Sequence, residues 1–250
     1  MQGLEAILYR EAKIRLTNFG WIFWDLFYPL GYLLVFGVGV NYALGSPFPQ
    51  LSVNYNDFFL GGVLAMASFG IASNTAWGFF LDRDNGMFYE MLTYPLSRSE
   101  FLAGKVAFNV LLAVLQATVT VVLAVVILGI KLKVALLPLL FVGVILGTAG
   151  WFFFFAIFAL RIRRNDVFNS VLSLFYFLFL FASSMFYPLA PLPGWFRTSA
   201  LANPITWQVD FLRYSSIGLG TEHLLAEALA FVLFTLVAFY FGLRTLQRPL

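Results

Sequence analysis

Six stretches of this chain carry no charged side chain: Leu26–Asn56, Phe58–Leu81, Val106–Ile130, Val134–Leu160, Val167–Phe196 and Ala228–Leu243. An α-helix needs about 20 apolar residues to cross the hydrocarbon core of a bilayer. Five stretches meet that length outright, and the sixth does so if its helix starts near Leu224 and tolerates Glu227 close to the surface. The pattern predicts six transmembrane helices, over residues 21–42, 58–80, 104–130, 135–160, 167–187 and 222–243. Trp21 and Trp24 stand at interfacial depth in the first, and Tyr28-Pro29 predicts a kink in it.

The polar segments between the spans are less uniform. Residues 1–18 set Leu4, Ile7, Leu8 and Ile14 against Arg10, Lys13 and Arg15, the pattern of an amphipathic helix lying on a membrane surface. The turn at 45–56 holds two prolines and no basic residue. Lys131–Lys133 is too short for a domain, so the third and fourth spans form an antiparallel hairpin. Beyond the fifth span, three prolines fall in the six residues 188–193, and Ser199–Gly218 is apolar but interrupted by Asn203-Pro204, Asp210 and Arg213. Residues 188–220 therefore read as short re-entrant or interfacial helices rather than another span.

Composition agrees, with 61% hydrophobic and 11% charged residues, against about 25% charged in soluble domains. The first 20 residues hold five charges and no compact apolar core, unlike a signal peptide. With no cysteine, disulfide and thiolate chemistry are excluded. If the N-terminus is cytoplasmic and the spans alternate, eleven Lys and Arg residues fall inside (Arg10, Lys13, Arg15, Arg83, Arg98, Lys105, Arg161, Arg163, Arg164, Arg244, Arg248). Four fall outside: Lys131, Lys133, Arg197 and Arg213. The positive-inside bias thus places both termini in the cytoplasm of a multi-pass protein of the cell (inner or plasma) membrane.

Asp82–Lys105 concentrates seven of the 27 charges in 24 residues, so it faces water between two spans. Met87, Phe88, Met91 and Leu92 recur at helical spacing with Glu90 on another face, and Tyr94-Pro95 breaks that helix. Ser97 and Glu100 then form an S-x-x-E capping box, with Leu96 and Phe101 at the positions of a hydrophobic staple. Two readings stand at this point: a solvated inner loop, or a short helix and elbow over 82–103 that fits a groove in a soluble partner.

The run DRDNGMFYEMLTYPLSRSEFLAGK resembles the cytoplasmic segment of ABC-2 type permeases, the membrane subunits of one class of ABC exporters, through Glu90, Pro95, Ser97, Arg98, Gly104 and Lys105. PLPGWFRTSALANPITWQVDFLRYSSIG is similar to the external motif of the drug-exporter and nodulation-factor branches, through Pro193, Trp195, Asn203, Pro204, Asp210 and Arg213. The resemblance implies an all-α integral membrane fold with six transmembrane helices, an N-terminal interfacial helix, a cytoplasmic coupling helix and a re-entrant external lid. Met87, Phe88, Glu90, Met91, Pro95, Ser97, Arg98, Glu100 and Lys105 would engage the ATPase, and Pro188 would join the lid residues just named. The implied partners are two copies of a separate ATP-binding subunit, a second permease copy in a homodimer, and membrane lipid, with no nucleic acid. ATP and Mg would sit on the partner, with no cofactor in this chain and no catalysis. In keeping with that, the chain has no GxxxxGK[ST]; Gly104-Lys105 is followed by Val106 and lacks the upstream glycine. The implied cargo is an amphipathic, lipid-linked or glycolipid or polysaccharide substrate.

An ion-coupled secondary transporter is the alternative, but it needs buried ionisable groups at mid-membrane depth, and Asp25 is the one such residue in the spans. Asp25 either pairs with a basic group of the coupling region, lines an inner vestibule, or snorkels to the interface. An intramembrane enzyme would need facing carboxylates, a metal set or an activated nucleophile, and His223 beside Glu222 is the sole histidine. Asp210 and Arg213, three apart, are placed to pair. The 48 aromatic side chains, including the run Trp151–Phe155, read mainly as lipid-facing or packing residues.

Overall fold

A computed structural model describes residues 2–44, 53–94 and 96–247. Among them the elements are helical: α1 Gln2–Thr17, α2 Phe19–Leu44, α3 Tyr55–Asp84, α4 Met87–Met91, α5 Arg98–Leu128, α6 Leu137–Arg161 after a 3-10 turn at Val134–Leu136, α7 Asn165–Phe181, α8 Gly194–Leu201, α9 Pro204–Ile217 and α10 Leu224–Gln247. Helices α2, α3, α5, α6 with its leading turn, and α10 are each long and apolar enough to cross a membrane. The chain is a multi-pass membrane protein. Most of the turn at 45–56, together with Pro95 and Arg248, lies outside the described residues.

Helix α3 is the hub. Its apolar window is 89% buried, against 22% for α10, because α2, α5, α6 and α9 all pack on it. Small side chains make that possible. A Cβ at Gly61 would lie 2.8 Å from the backbone nitrogen of Arg213 in α9. On α6, Gly143 and Gly147 receive Phe211 and Gln208 of the same helix. Phe69, Trp151, Phe155, Tyr176 and Phe179 fill the centre in largely edge-to-face pairs. The Trp151–Phe155 run is therefore mostly packing, with Trp151, Phe152 and Phe155 almost fully buried.

The fifth predicted span is shorter than its apolar run. Helix α7 stops at Phe181, not 187, and its 17 residues reach only about 25 Å at 1.5 Å each. Asn203 explains the stop. Its side-chain amide donates to the carbonyls of Phe179 (2.8 Å) and Ala182 (2.7 Å), while its oxygen caps α9 by accepting from Ile205 N–H at 3.0 Å. One residue thus closes the end of α7 and opens α9, satisfying backbone groups that would otherwise be stranded at depth. The 14-residue α9 then runs back beside α6, where Ser216 O accepts from Lys133 N–H at 2.9 Å.

At the other end, the expected capping box is present: Ser97 Oγ accepts from Glu100 N–H (3.1 Å) and Glu100 Oε2 from Ser97 N–H (2.8 Å). It starts α5 at Arg98, six residues before the boundary expected at 104.

Candidate functional site

Residues between α3 and α5 form a short knob. Gly86 adopts φ 78°, which glycine tolerates and a side chain resists, and so reverses the chain from α3 into α4. Phe88 points inward and is fully buried against Phe79 and Phe101 (5.6 and 5.2 Å between ring centroids). Met87, Tyr89, Glu90 and Tyr94 remain exposed. Two arginines fasten the knob to neighbouring helix ends. Arg83 donates to the carbonyls of Ala159 and Ile162 at the end of α6. Arg98 donates to Leu246 O, at the end of α10, at 2.9 Å. Cations there meet unsatisfied carbonyls and the negative pole of the helix dipole.

The residues expected to engage a partner divide accordingly. Met87, Glu90 and Ser97 are exposed, while Met91, Arg98 and Glu100 are half-buried. Phe88 and Lys105 are internal, and this corrects their assignment to a docking surface. Pro95 lies outside the described residues.

Lys105 belongs to an ionic network that joins three helices. Its ammonium sits 2.7 Å from Glu11 of α1 and 2.8 Å from Asp82 of α3. Arg10 contacts the same two carboxylates, at 3.0 and 2.6 Å. Burial disfavours the Arg10 charge, but Asp82 and Glu11 outweigh it and hold its pKa above the ordinary value. One turn further along α1, Arg15 pairs with Asp25 of α2 at 2.8 Å, and Asn74 of α3 donates to the other Asp25 oxygen at 2.8 Å. Asp25 thus neither snorkels nor binds the segment 82–103; its partner is α1. This also corrects the view of α1 as a simple amphipathic helix. Its buried face is Ile7, Glu11 and Arg15, while Ile14 is 39% exposed.

At the opposite end, Asp210 and Arg213 do pair, but inside the protein, at 3% and 4% exposure. Arg213 also donates to Phe58 O (3.0 Å) and Ser184 O (2.9 Å) and lies 3.8 Å over the Phe58 ring. The residues expected to form a lid separate into two groups. Asn203, Asp210 and Arg213 are buried and Pro204 half-buried; Pro193, just before α8, and Trp195 on it are exposed, and Pro188 is half-buried. The buried group is a structural clamp between α3, α9 and the break after α7.

Between α2, α3 and α7 lies a cleft of about 380 Å³ that reaches from Ser73, Asn74, Asn169 and Ser173 to Phe181 and Phe186. A second hollow of about 250 Å³ shares Tyr28, Met66, Asn74 and Tyr176 with it and extends to Trp24 and Asp25.

A family model described as ABC-2 type transporter matches residues 2–217. The chain is also similar to proteins described as transport permease ycf38: 26% identical over 190 residues to that of Porphyra purpurea, 27% over 192 to that of Cyanophora paradoxa and 24% over 193 to that of Pyropia yezoensis. These matches cover 74% of this chain and 64% of each relative's length.

Proposed function

The chain belongs to the ABC-2 type transporter family, and from that premise we propose that it is the membrane subunit of an ATP-driven exporter. It works as a homodimer with two separate ATP-binding subunits that dock on the knob at Met87–Tyr94. Its cargo is amphipathic, lipid-linked or a glycolipid or polysaccharide, moved out of the cytoplasm or inner leaflet. The distribution of Lys and Arg supports a cell-membrane orientation with the termini and knob in the cytoplasm. The observation that carries the reading is the form of the knob: an exposed apolar and acidic surface on a base tied to α6 by Arg83, to α10 by Arg98 and to the core by Phe88. A push on such a base is delivered to helix ends instead of being lost in a loose loop.

The test is transport by vesicles containing the chain and its ATP-binding subunit, with and without vanadate, comparing wild type with Glu90→Ala. Glu90 is exposed, so the variant should assemble normally, retain ATP hydrolysis and lose most transport. Full transport by Glu90→Ala would overturn the docking assignment. An ion-coupled carrier is disfavoured because Asp25 and Asp210, its candidate titrating groups, are each held by an arginine. Transport that survives vanadate but stops with ionophores would reverse that judgement.

A further inference from the structure

We propose that the hollow where α1 meets α2, α3 and α5 binds an ammonium–phosphate zwitterion, the headgroup of a phosphatidylethanolamine lipid. The lipid is a partner drawn from the surrounding membrane rather than cargo, and its binding does not depend on the permease reading.

The hollow has a volume of about 300 Å³ and carries both charge signs in its wall, Arg15 and Lys105 against Glu11 and Asp82. Arg10 contacts both of these acids and Asp25 holds Arg15, so the formal charges around the hollow cancel. A ligand with net charge would upset that balance, whereas a zwitterion keeps it.

Two of these side chains have bonding capacity left. Arg15 uses only Nη1, on Asp25, and Glu11 accepts from Arg10 and Lys105 on Oε1 alone. Among the described residues, the buried polar side-chain atoms without a partner are Asn56 Oδ1, Thr148 Oγ1 and Gln208 Nε2, so neither Arg15 Nη2 nor Glu11 Oε2 is sealed in. A guanidinium with spare donors suits a phosphate, and an open carboxylate oxygen suits an ammonium. The two residues lie on one face of α1, four positions and about 6 Å apart along its axis. They do not pair with each other, because Arg15 turns to α2 and Glu11 to α5. In ethanolamine phosphate two methylenes separate the ester oxygen from the ammonium, a matching span. Choline has no N–H to give Glu11, and a glycerol headgroup leaves the phosphate charge unbalanced.

The walls place the hollow in the headgroup layer. Trp21 and Trp77, with ring centroids 5.4 Å apart, form one side, at the depth where tryptophans gather. Trp21 and Ile14 are 38% and 39% exposed, so acyl chains can leave over them into the bilayer. Gly78 forms part of the lining, and a Cβ there would meet no other side chain or helix within 4 Å. Glycine inside a helix lowers its stability relative to alanine, and no protein side chain occupies the room it leaves here.

The test uses the full chain in phosphatidylcholine nanodiscs doped with a second lipid of the same acyl chains, with bound lipids counted by native mass spectrometry. Phosphatidylethanolamine should bind saturably and at least tenfold more tightly than phosphatidylglycerol or phosphatidylcholine. Gly78→Leu fills the hollow with a better helix former, so the variant should fold and lose at least tenfold in binding. Gly39→Leu, at an exposed position of α2 with equally open space, should leave binding unchanged. Glu11→Gln keeps an oxygen for Lys105 but replaces the open Oε2 with an amide donor, and should erase the preference for ethanolamine over glycerol. Equal or tighter binding of phosphatidylglycerol or phosphatidylcholine would overturn the proposal, as would indifference to Gly78→Leu. A preference that survives Glu11→Gln would overturn the place given to the ammonium. Soluble phosphoethanolamine competing as well as the lipid would overturn the lipid source.

Discussion

Replacing Lys105 with methionine keeps an unbranched side chain, one atom shorter, and removes its charge. The side chain is 3% exposed, and its ammonium touches two carboxylates, Glu11 at 2.7 Å and Asp82 at 2.8 Å. Removing one partner of a buried ion pair costs about 3–5 kcal/mol, because the other charge is left uncompensated. Arg10 still reaches both acids in the variant, so the loss falls at the lower end, about 3 kcal/mol. For a domain of this size each kcal/mol moves the midpoint by about 2–4 °C, which gives a fall of about 6–12 °C. The assay is thermal unfolding of the purified chain in one mild detergent, followed by helical circular dichroism. Adding Asp82→Asn to Lys105→Met restores neutrality, leaving Arg10 with Glu11, and should recover at least half of the loss. A single variant within about 0.5 kcal/mol of wild type would show that the network is solvated. A double variant equal to the sum of the two singles would show that Lys105 and Asp82 do not interact.

Gly61→Ala should destabilise by about 1–3 kcal/mol, since the new methyl meets Arg213 backbone atoms at 2.8–2.9 Å that no rotamer change can clear; unchanged unfolding would mean α3 and α9 are not in that contact. Asn203→Ala removes a cap worth about 0.5–2 kcal/mol and also strands the carbonyls of Phe179 and Ala182, so its loss should reach the top of that range, as checked by the same melt. Arg213→Met should cost about 3–5 kcal/mol by leaving Asp210 buried and unpaired, with partial recovery on adding Asp210→Asn; a loss below about 1 kcal/mol would contradict the buried clamp.

What could be read from the sequence was what is local or periodic. The capping box at Ser97 and Glu100 is a three-residue relation, and long uncharged runs announce helices of spanning length whatever they pack against. The end of α7 was not legible. Three prolines at 188–193 signalled a break, but the helix stops at Phe181 because Asn203, more than twenty residues later, takes up its last carbonyls. Nor was the ionic network legible, since Glu11 and Lys105 are 94 positions apart and Arg10 and Asp82 are 72 apart. In the sequence, Lys105 reads as the last residue of the water-facing segment 82–105, among those that would engage the ATPase. Its burial depends on Gly104, where an added Cβ would lie 2.5 Å from Ile7, so that α1 can lie close enough to cover it. A glycine before a lone lysine and an Ile-Glu-Arg face at positions 7, 11 and 15 were the available signals, and neither is specific without the fold.

Stability alone does not account for charges buried where α1 meets the bundle. Well-packed apolar side chains in place of a buried ion network are often as stable or more so. The contacts that hold α1 by shape, Leu96 over Gly3 and Ile7 over Gly104, specify its position only weakly, because smooth apolar surfaces tolerate sliding. The charges do not. Ile7, Glu11 and Arg15 are spaced one turn apart, so a slip of one turn, about 5.4 Å, would put Glu11 against an apolar partner or beside another acid and break both ion-pair groups together. The network therefore fixes one register of α1 against α2, α3 and α5. That register matters to the rest of the protein because the two groups touch different structures. Asp82 lies next to Arg83, which holds the end of α6, while Asn74, bonded to Asp25, lines the cleft. Displacing α1 as a unit would free both at once, whereas loosening a single apolar contact would free neither. Contiguity by itself is not coupling, which requires an element with two arrangements that both sites bias. Helix α1 is the element here whose attachment is discrete enough to be wholly made or wholly broken.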